Sequence, residues 1–242
     1  MGGYVFVPIQ DDNPLRHIRF QFVTVALLAL NVAVFAIEAL SLDEARIASF
    51  ALVPSELFHV VMAGGHGHRI HEVAVLPEQL TLVSYMFFHL DIFHVFGNMI
   101  FLWVFGDNVE DAMGHLRYLL FYIACGVFAG LVHALMQPGS PVPLIGASGA
   151  VAGVIAAYLI LHPRVRMWAL AFKIIPVRIT AMWILGAWVV MQFVMIVVAA
   201  QNPGQPIAWW AHVGGLIAGA VLVVLLRRPG VPLFDRDLGK AV

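Results

Sequence analysis

The feature that most constrains this chain is a series of long apolar stretches, each long enough to cross a lipid bilayer as a helix. One helical span needs about 20 apolar residues. Hydrophobic residues make up 62% of the 242 residues and charged residues 11%, whereas a soluble domain carries roughly 25% charged residues. The solvent for most of the chain is therefore lipid, and the sequence predicts an all-α membrane protein.

Six apolar stretches predict six transmembrane helices. They lie at about 22–40, 92–106, 118–136, 144–161, 179–200 and 207–226. The stretch at 92–106 is short for a span and contains His94 and Asn98, but its apolar character extends back towards Thr81. The predicted membrane domain is therefore 22–226, with short tails at 1–21 and 227–242.

The basic residues predict the orientation of the helices. One side of the membrane has two of them, Arg46 and Arg69. The other side has eleven, which are Arg16, Arg19, Arg117, Arg164, Arg166, Lys173, Arg178, Arg227, Arg228, Arg236 and Lys240. Because an excess of Lys and Arg marks the cytoplasmic side, we expect both termini to be cytoplasmic.

Composition also excludes some functions. The net charge of −1 leaves no basic surplus to neutralise phosphates, so no nucleic-acid partner is expected. The single cysteine, Cys125, can form no internal disulfide and is predicted to be a packed helix residue. The histidines of the run His66–His71 could bind zinc or copper, but we prefer a solvated loop as the interpretation. No metal or cofactor is predicted.

A few polar residues interrupt the predicted helices: His94, Asn98, Ser148 and His212, with His133 near the outer end of the third helix. Such residues are costly in lipid and mark function by default. At about 1.5 Å per residue, Ser148 and His212 lie roughly 6 and 9 Å below the outer boundary. A lone serine usually bonds its own backbone. The prediction of a site therefore rests on three helices that bring polar groups to the same depth.

Small residues predict that two of these helices approach closely. Gly149 and Gly153 are four residues apart in the fourth predicted helix, as are Gly215 and Gly219 in the sixth. Faces of this kind let helix backbones touch in lipid. We therefore expect the serine of the fourth helix to lie within hydrogen-bond distance of His212.

The three motifs resemble those of the rhomboid family of intramembrane serine proteases, over about residues 80–226. They read His94-Val95-Phe96-Gly97-Asn98, Gly146-Ala147-Ser148-Gly149 and Ala211-His212-Val213-Gly214-Gly215. The stretch from Phe105 to Asp111 is also similar to bacterial members. The resemblance implies a six-helix rhomboid-like bundle.

Amide hydrolysis needs a nucleophile, a base and donors for the oxyanion. Ser148 is the predicted nucleophile and His212 the predicted general base, because an imidazole can accept the serine proton and return it to the leaving amine. The predicted oxyanion donors are the Asn98 side chain, the His94 ring and the Ser148 backbone N–H, at positions to which the resemblance assigns the same role. Gly149 is expected to allow close approach of the substrate.

One residue departs from the family pattern. Many members carry an aromatic residue four positions after the serine, where this chain has Ala152. Either another ring, such as Trp209 or Phe96, supports His212, or the imidazole is held more loosely. No carboxylate lies at matching depth in the predicted helices, so the sequence predicts a serine–histidine dyad without an acidic third member.

The predicted function is an intramembrane serine endopeptidase that cleaves transmembrane segments of membrane proteins near the outer membrane face. The predicted location is a bacterial inner membrane, and the partners are the lipid bilayer and transmembrane protein substrates. Two alternatives stay open, a catalytically silent rhomboid-like protein that binds client membrane helices and a small membrane transporter. The sequence makes no prediction of the oligomeric state.

Overall fold

The computed structural model describes residues 6–41, 44–62, 76–171, 174–201 and 208–235. The histidine run at 66–71 lies outside the described residues. In chain order the described elements are β1 (Phe6–Asp11), α1 (Phe22–Ser41), α2 (Glu44–Ala48), α3 (Pro54–Met62), α4 (Glu78–Ser84), a short 3-10 helix (Tyr85–Phe87), α5 (Ile92–Met113), α6 (His115–Met136), α7 (Ser148–Leu161), β2 (Arg166–Ala171), β3 (Ile175–Thr180), α8 (Ala181–Gln201) and α9 (Trp209–Leu226).

Five of the described helices are long and apolar enough to cross a membrane: α1, α5, α6, α8 and α9. The chain is thus a mostly helical, multi-pass membrane protein. The apolar helix α7 has 14 residues, which is about 21 Å of helix. It lies at the centre of the bundle and packs against α5, α6, α8 and α9.

Glycines set the spacing between α7 and α9. A Cβ atom on Gly215 would overlap the carbonyl oxygen of Gly149, and one on Gly219 would overlap that of Gly153. The two backbones therefore touch at two successive turns, as the small-residue spacing indicates.

The start of α7 differs from the predicted helix at 144–161. Leu144 pairs with Leu52 in an isolated antiparallel bridge, and Gly146 has a φ of 120°, which an α-helix does not allow. The helix therefore begins at Ser148. The serine is the first residue of α7, not a residue one turn inside it.

The end of α5 also differs, because the helix continues from the predicted residue 106 to Met113. Its last turns carry polar residues that lower hydropathy but have partners. Glu110 accepts hydrogen bonds from the backbone N–H groups of Val23 and Thr24 at the start of α1. Carboxylates are stabilised at a helix N-terminus, so this contact joins the first membrane helix to α5.

The prediction of an all-α chain misses a three-stranded antiparallel sheet. Its strand order is β1-β2-β3, with β1 in the predicted N-terminal tail and the other two strands between α7 and α8. In β2, Met167 and Ala169 are buried while Arg166 and Trp168 face outwards. Ile179, predicted as the first residue of a membrane helix, belongs to β3, and α8 begins two residues later.

Candidate active site

Ser148 is placed by a tight turn that crosses in front of α5. The Gly146 N–H donates to the Tyr85 carbonyl at 2.9 Å. A Cβ on Gly146 would lie only 2.6 Å from Cε1 of His94. Only glycine combines the positive φ with this close approach, so the turn passes directly against the His94 ring two residues before Ser148.

His212 lies in the first turn of α9 and faces Ser148. Its Nε2 atom is 2.9 Å from the Ser148 Oγ, which is a normal hydrogen-bond distance. Both residues are half-buried. The structure therefore brings together the predicted nucleophile and the predicted base, across the glycine contact between α7 and α9.

Aromatic rings enclose the imidazole although Ala152 provides none. The Trp209 ring of α9 packs edge-on to the His212 ring, with centroids 5.8 Å apart. The Trp188 ring of α8 also lies beside it, with centroids 5.9 Å apart. Of the two rings suggested from sequence, Trp209 is therefore at the histidine, whereas Phe96 is 60% exposed. Trp188 was not foreseen.

Asn98 and His94 both face the turn that precedes Ser148. The Asn98 Nδ2 atom is buried without a hydrogen-bond partner, and a Cβ on Gly146 would lie 3.7 Å from it. Nδ1 of His94 is also buried without a partner. Buried polar groups are nearly always bonded, so the free Asn98 donor beside the turn indicates a place where an acceptor can bind.

Gly149 packs against its neighbours in the bundle. A Cβ on Gly149 would lie 2.6 Å from the Ala129 Cβ on α6 and 3.3 Å from the Tyr85 hydroxyl. The missing side chain therefore leaves room for the neighbouring helix, and close approach of a substrate at Gly149 stays a prediction. Close packing of the bundle is what requires glycine at this position.

Three polar residues at the site were missed by sequence reasoning. The Gln192 side chain on α8 lies 2.7 Å from Nδ1 of His212. The His89 ring lies against the His94 ring, with centroids 5.1 Å apart. The backbone N–H of His89 donates to the Glu38 carboxylate of α1 at 3.3 Å. Burial, followed by the neighbouring His94, lowers the pKa of His89 to about 4. The sequence signal that could have identified Gln192 is a polar side chain inside an otherwise apolar helix.

No group of three or more histidine, cysteine or acidic side chains in the described part of the chain is arranged to hold a metal ion. The site instead offers a serine hydroxyl, an imidazole within hydrogen-bond distance and unpaired amide donors. This combination is the one that nucleophilic acyl transfer requires. Fold and site together define a multi-pass membrane protein with a serine–histidine pair inside its helical bundle.

Comparison with known proteins agrees with the resemblance seen in the motifs. A family model described as the Rhomboid domain matches residues 77–229, which is more than half of the chain. The chain therefore belongs to the rhomboid family, as predicted, and this family includes serine proteases.

Curated relatives cover most of the same region. The chain is 31% identical over 174 residues to Rhomboid-like protein 11, chloroplastic, of Arabidopsis thaliana, which covers 68% of this chain and 59% of the relative. It is 30% identical over 176 residues to Rhomboid protease GluP of Bacillus subtilis, covering 73% of this chain and 32% of the relative. RHOMBOID-like protein 12, mitochondrial, of Arabidopsis thaliana is 29% identical over 61% of this chain and 46% of the relative. The chain thus spans between one third and three fifths of these relatives.

Proposed function

We propose that this chain is an intramembrane serine endopeptidase, with Ser148 as nucleophile and His212 as general base. The observation that carries the proposal is the 2.9 Å contact between the Ser148 Oγ and Nε2 of His212. As Oγ bonds to the scissile carbonyl carbon, Nε2 takes the hydroxyl proton. The imidazolium returns this proton to the leaving amine, and water then hydrolyses the acyl-enzyme by the same route.

Three donors support the oxyanion in this proposal. The Asn98 amide and the His94 ring converge on the turn before the nucleophile. The Ser148 N–H belongs to the first turn of α7, where backbone donors have no acceptor within the helix. Donors aimed at the developing negative charge in a water-poor site are usually the largest single catalytic contribution.

The substrate in this proposal is a transmembrane segment of another protein, which enters beside α8. The spans of α8 and α1 are each 22% buried inside the bundle, compared with 61% for α5, and α8 carries Trp188 and Gln192 to the dyad. A helix that packs loosely can move aside for a substrate helix. The printed name of the Bacillus relative, a rhomboid protease, supports the same reaction.

We also propose that α7 acts as a sixth span and that both termini are cytoplasmic, in a bacterial inner membrane. The eleven-to-two distribution of basic residues supports this orientation. Reporter fusions after Lys240 should report cytoplasm, and reporters inserted near Gly65 should report the outside. The opposite pattern would place the dyad near the cytoplasmic face and refute the proposed orientation.

The proposal is tested with the full chain in liposomes and a panel of model transmembrane substrates. Cleavage is expected for the wild type and for Ser140→Ala, a control serine in the turn after α6, but not for Ser148→Ala or His212→Ala. A fluorophosphonate should label Ser148, and labelling should fail in His212→Ala. Cleavage by a clean Ser148→Ala preparation would refute the mechanism, whereas binding of the panel without cleavage would favour a silent, client-binding rhomboid.

A further inference from the structure

Gln192 is a polar residue in the middle of the membrane helix α8, and its side chain is 1% exposed. Burying an amide without hydrogen bonds is costly. Both ends of this amide have partners among the described residues. Nε2 donates to the Trp188 carbonyl one turn earlier at 3.0 Å, and Oε1 lies 2.7 Å from Nδ1 of His212.

The Trp188 carbonyl determines which way the amide points. A backbone carbonyl can only accept a hydrogen bond, so the NH2 end of Gln192 must face it. The oxygen end then faces His212, and because this oxygen can only accept, Nδ1 must carry the ring proton. Nε2 is left with its lone pair directed at the Ser148 hydroxyl, 2.9 Å away.

We propose that Gln192 is a positioning residue, which holds His212 in the tautomer and ring orientation of a general base. In the serine–histidine–aspartate triad of soluble proteases, an aspartate has this role. Replacing that aspartate by asparagine leaves the geometry intact but gives the wrong tautomer and a loss of about 10⁴ in kcat. An amide succeeds here because its NH2 group is already bound to Trp188, so that it cannot turn to donate to Nδ1.

A neutral acceptor also suits the location. A buried carboxylate beside the imidazole would lose its hydration, and in a membrane helix charged side chains are rare for that reason. The amide orients the ring without a charge. The predicted dyad thus becomes a three-residue chain, Ser148–His212–Gln192, with each member on a different helix. This inference rests on the proposed function of the dyad.

The test compares Gln192→Met, which keeps the length of the side chain and removes the acceptor, with Gln192→Glu, whose neutral carboxyl group can donate to the Trp188 carbonyl and accept from Nδ1 of His212. Loss of one neutral hydrogen bond predicts a fall in kcat of about 10-fold for Gln192→Met with KM unchanged. Gln192→Glu should stay within about 3-fold of the wild type. Leu120→Met, which places a methionine on the exposed face of α6, is the control and should keep wild-type kcat.

An activity-independent readout separates this inference from the proposed function. In protein labelled with ¹⁵N-histidine, the His212 signals are assigned by their loss in His212→Ala. We expect a protonated Nδ1 in the wild type and in Gln192→Glu, and a changed tautomer population in Gln192→Met. A wild-type ring protonated at Nε2 would overturn the inference whether or not the protein cleaves substrates. So would unchanged kcat in Gln192→Met, or equal losses in both Gln192 variants.

Discussion

Gly215→Ala is expected to inactivate the site without touching either member of the dyad. Gly215 lies one turn after His212, at the closest approach of α9 to α7. An added Cβ would overlap the Gly149 carbonyl oxygen, and it would lie 2.9 Å from the carbonyl carbon and 3.2 Å from the Ala152 Cβ, where ordinary contact begins at 3.4 Å. A backbone carbonyl cannot rotate away as a flexible side chain can.

The two helices must therefore separate by on the order of 1 Å, and a misplacement of this size costs roughly 100-fold in rate. Ser148 precedes Gly149 and His212 is three residues before Gly215, so the separation acts directly on their 2.9 Å hydrogen bond. Overpacking also lowers the free energy of unfolding by about 1–3 kcal/mol. We expect kcat to fall about 100-fold or more, with a modest decrease in thermal stability.

The measurement is cleavage of a model substrate in liposomes, together with thermal unfolding in detergent. Gly186→Ala on α8 is the matched control, because nothing lies within 4 Å of its added Cβ. It should retain activity and gain up to about 1 kcal/mol from the better helix propensity of alanine. Wild-type turnover by Gly215→Ala, or an equal loss in both variants, would refute the reasoning.

Three further predictions concern the oxyanion, the substrate and the sheet. Asn98→Ala should lower turnover by roughly 100- to 1000-fold, as loss of one oxyanion donor does, and leave residual activity; unchanged turnover would make Asn98 a packing residue. Replacing a glycine or proline near the outer end of a substrate helix with leucine should slow cleavage, because the helix must unwind before its carbonyl can be attacked. Mass spectrometry locates the cut, and cuts at the cytoplasmic end would contradict the prediction. Burial raises the pKa of the Asp11 carboxyl above its ordinary value of 3.8, so ionisation of Asp11 disfavours folding above that pH. The variant Asp11→Asn keeps an oxygen acceptor for the Tyr158 hydroxyl and removes the ionisation. It should raise the melting temperature at pH 7 but not below pH 4.

Helices in contact with lipid could be predicted because the bilayer imposes one rule on every span, which is a stretch of about 20 apolar residues. The third predicted helix, 118–136, begins three residues later than α6 (His115–Met136) and ends at the same residue. The rule fails where protein replaces lipid as the environment. Glu110 and Asp111 lower the hydropathy of α5, yet both carboxylates accept hydrogen bonds from the segment around the start of α1, so the helix continues through them.

The sheet could not be predicted, since no local pattern relates strands so far apart in sequence. Phe6 pairs with Ala171, and Asp11 pairs with Met167. The sheet is anchored to the helices by polar contacts between residues that are also far apart in sequence. Tyr158 of α7 donates to the Asp11 carboxylate at 2.5 Å, and the Asn108 amide of α5 donates to it at 3.2 Å. Each of these residues appears unremarkable in its own segment.

The contact between Ser148 and His212 could be predicted from sequence because polar residues interrupt two apolar helices whose glycine spacing brings their backbones together. Gln192 carried one signal only. It lies outside the three motifs, it has no charge, and its contact with His212 depends on how α8 rotates about its axis. Periodicity does not determine that rotation, because α8 is apolar on nearly every face.

The pairing of polar groups at the site explains how the proposed hydrolytic centre can form among apolar helices. Ser148, His212, Gln192 and the Trp188 carbonyl form a continuous chain of hydrogen bonds, and these bonds offset part of the cost of burying polar groups. The Asn98 amide nitrogen differs from these groups, because it is buried without an acceptor, as Nδ1 of His94 is buried without a partner. An unsatisfied buried donor costs about 1–3 kcal/mol, and in the proposed reaction the oxyanion relieves that cost only when the transition state forms. Since binding that strengthens in the transition state is what accelerates a reaction, the unpaired Asn98 donor lies where the proposed reaction gains most from it.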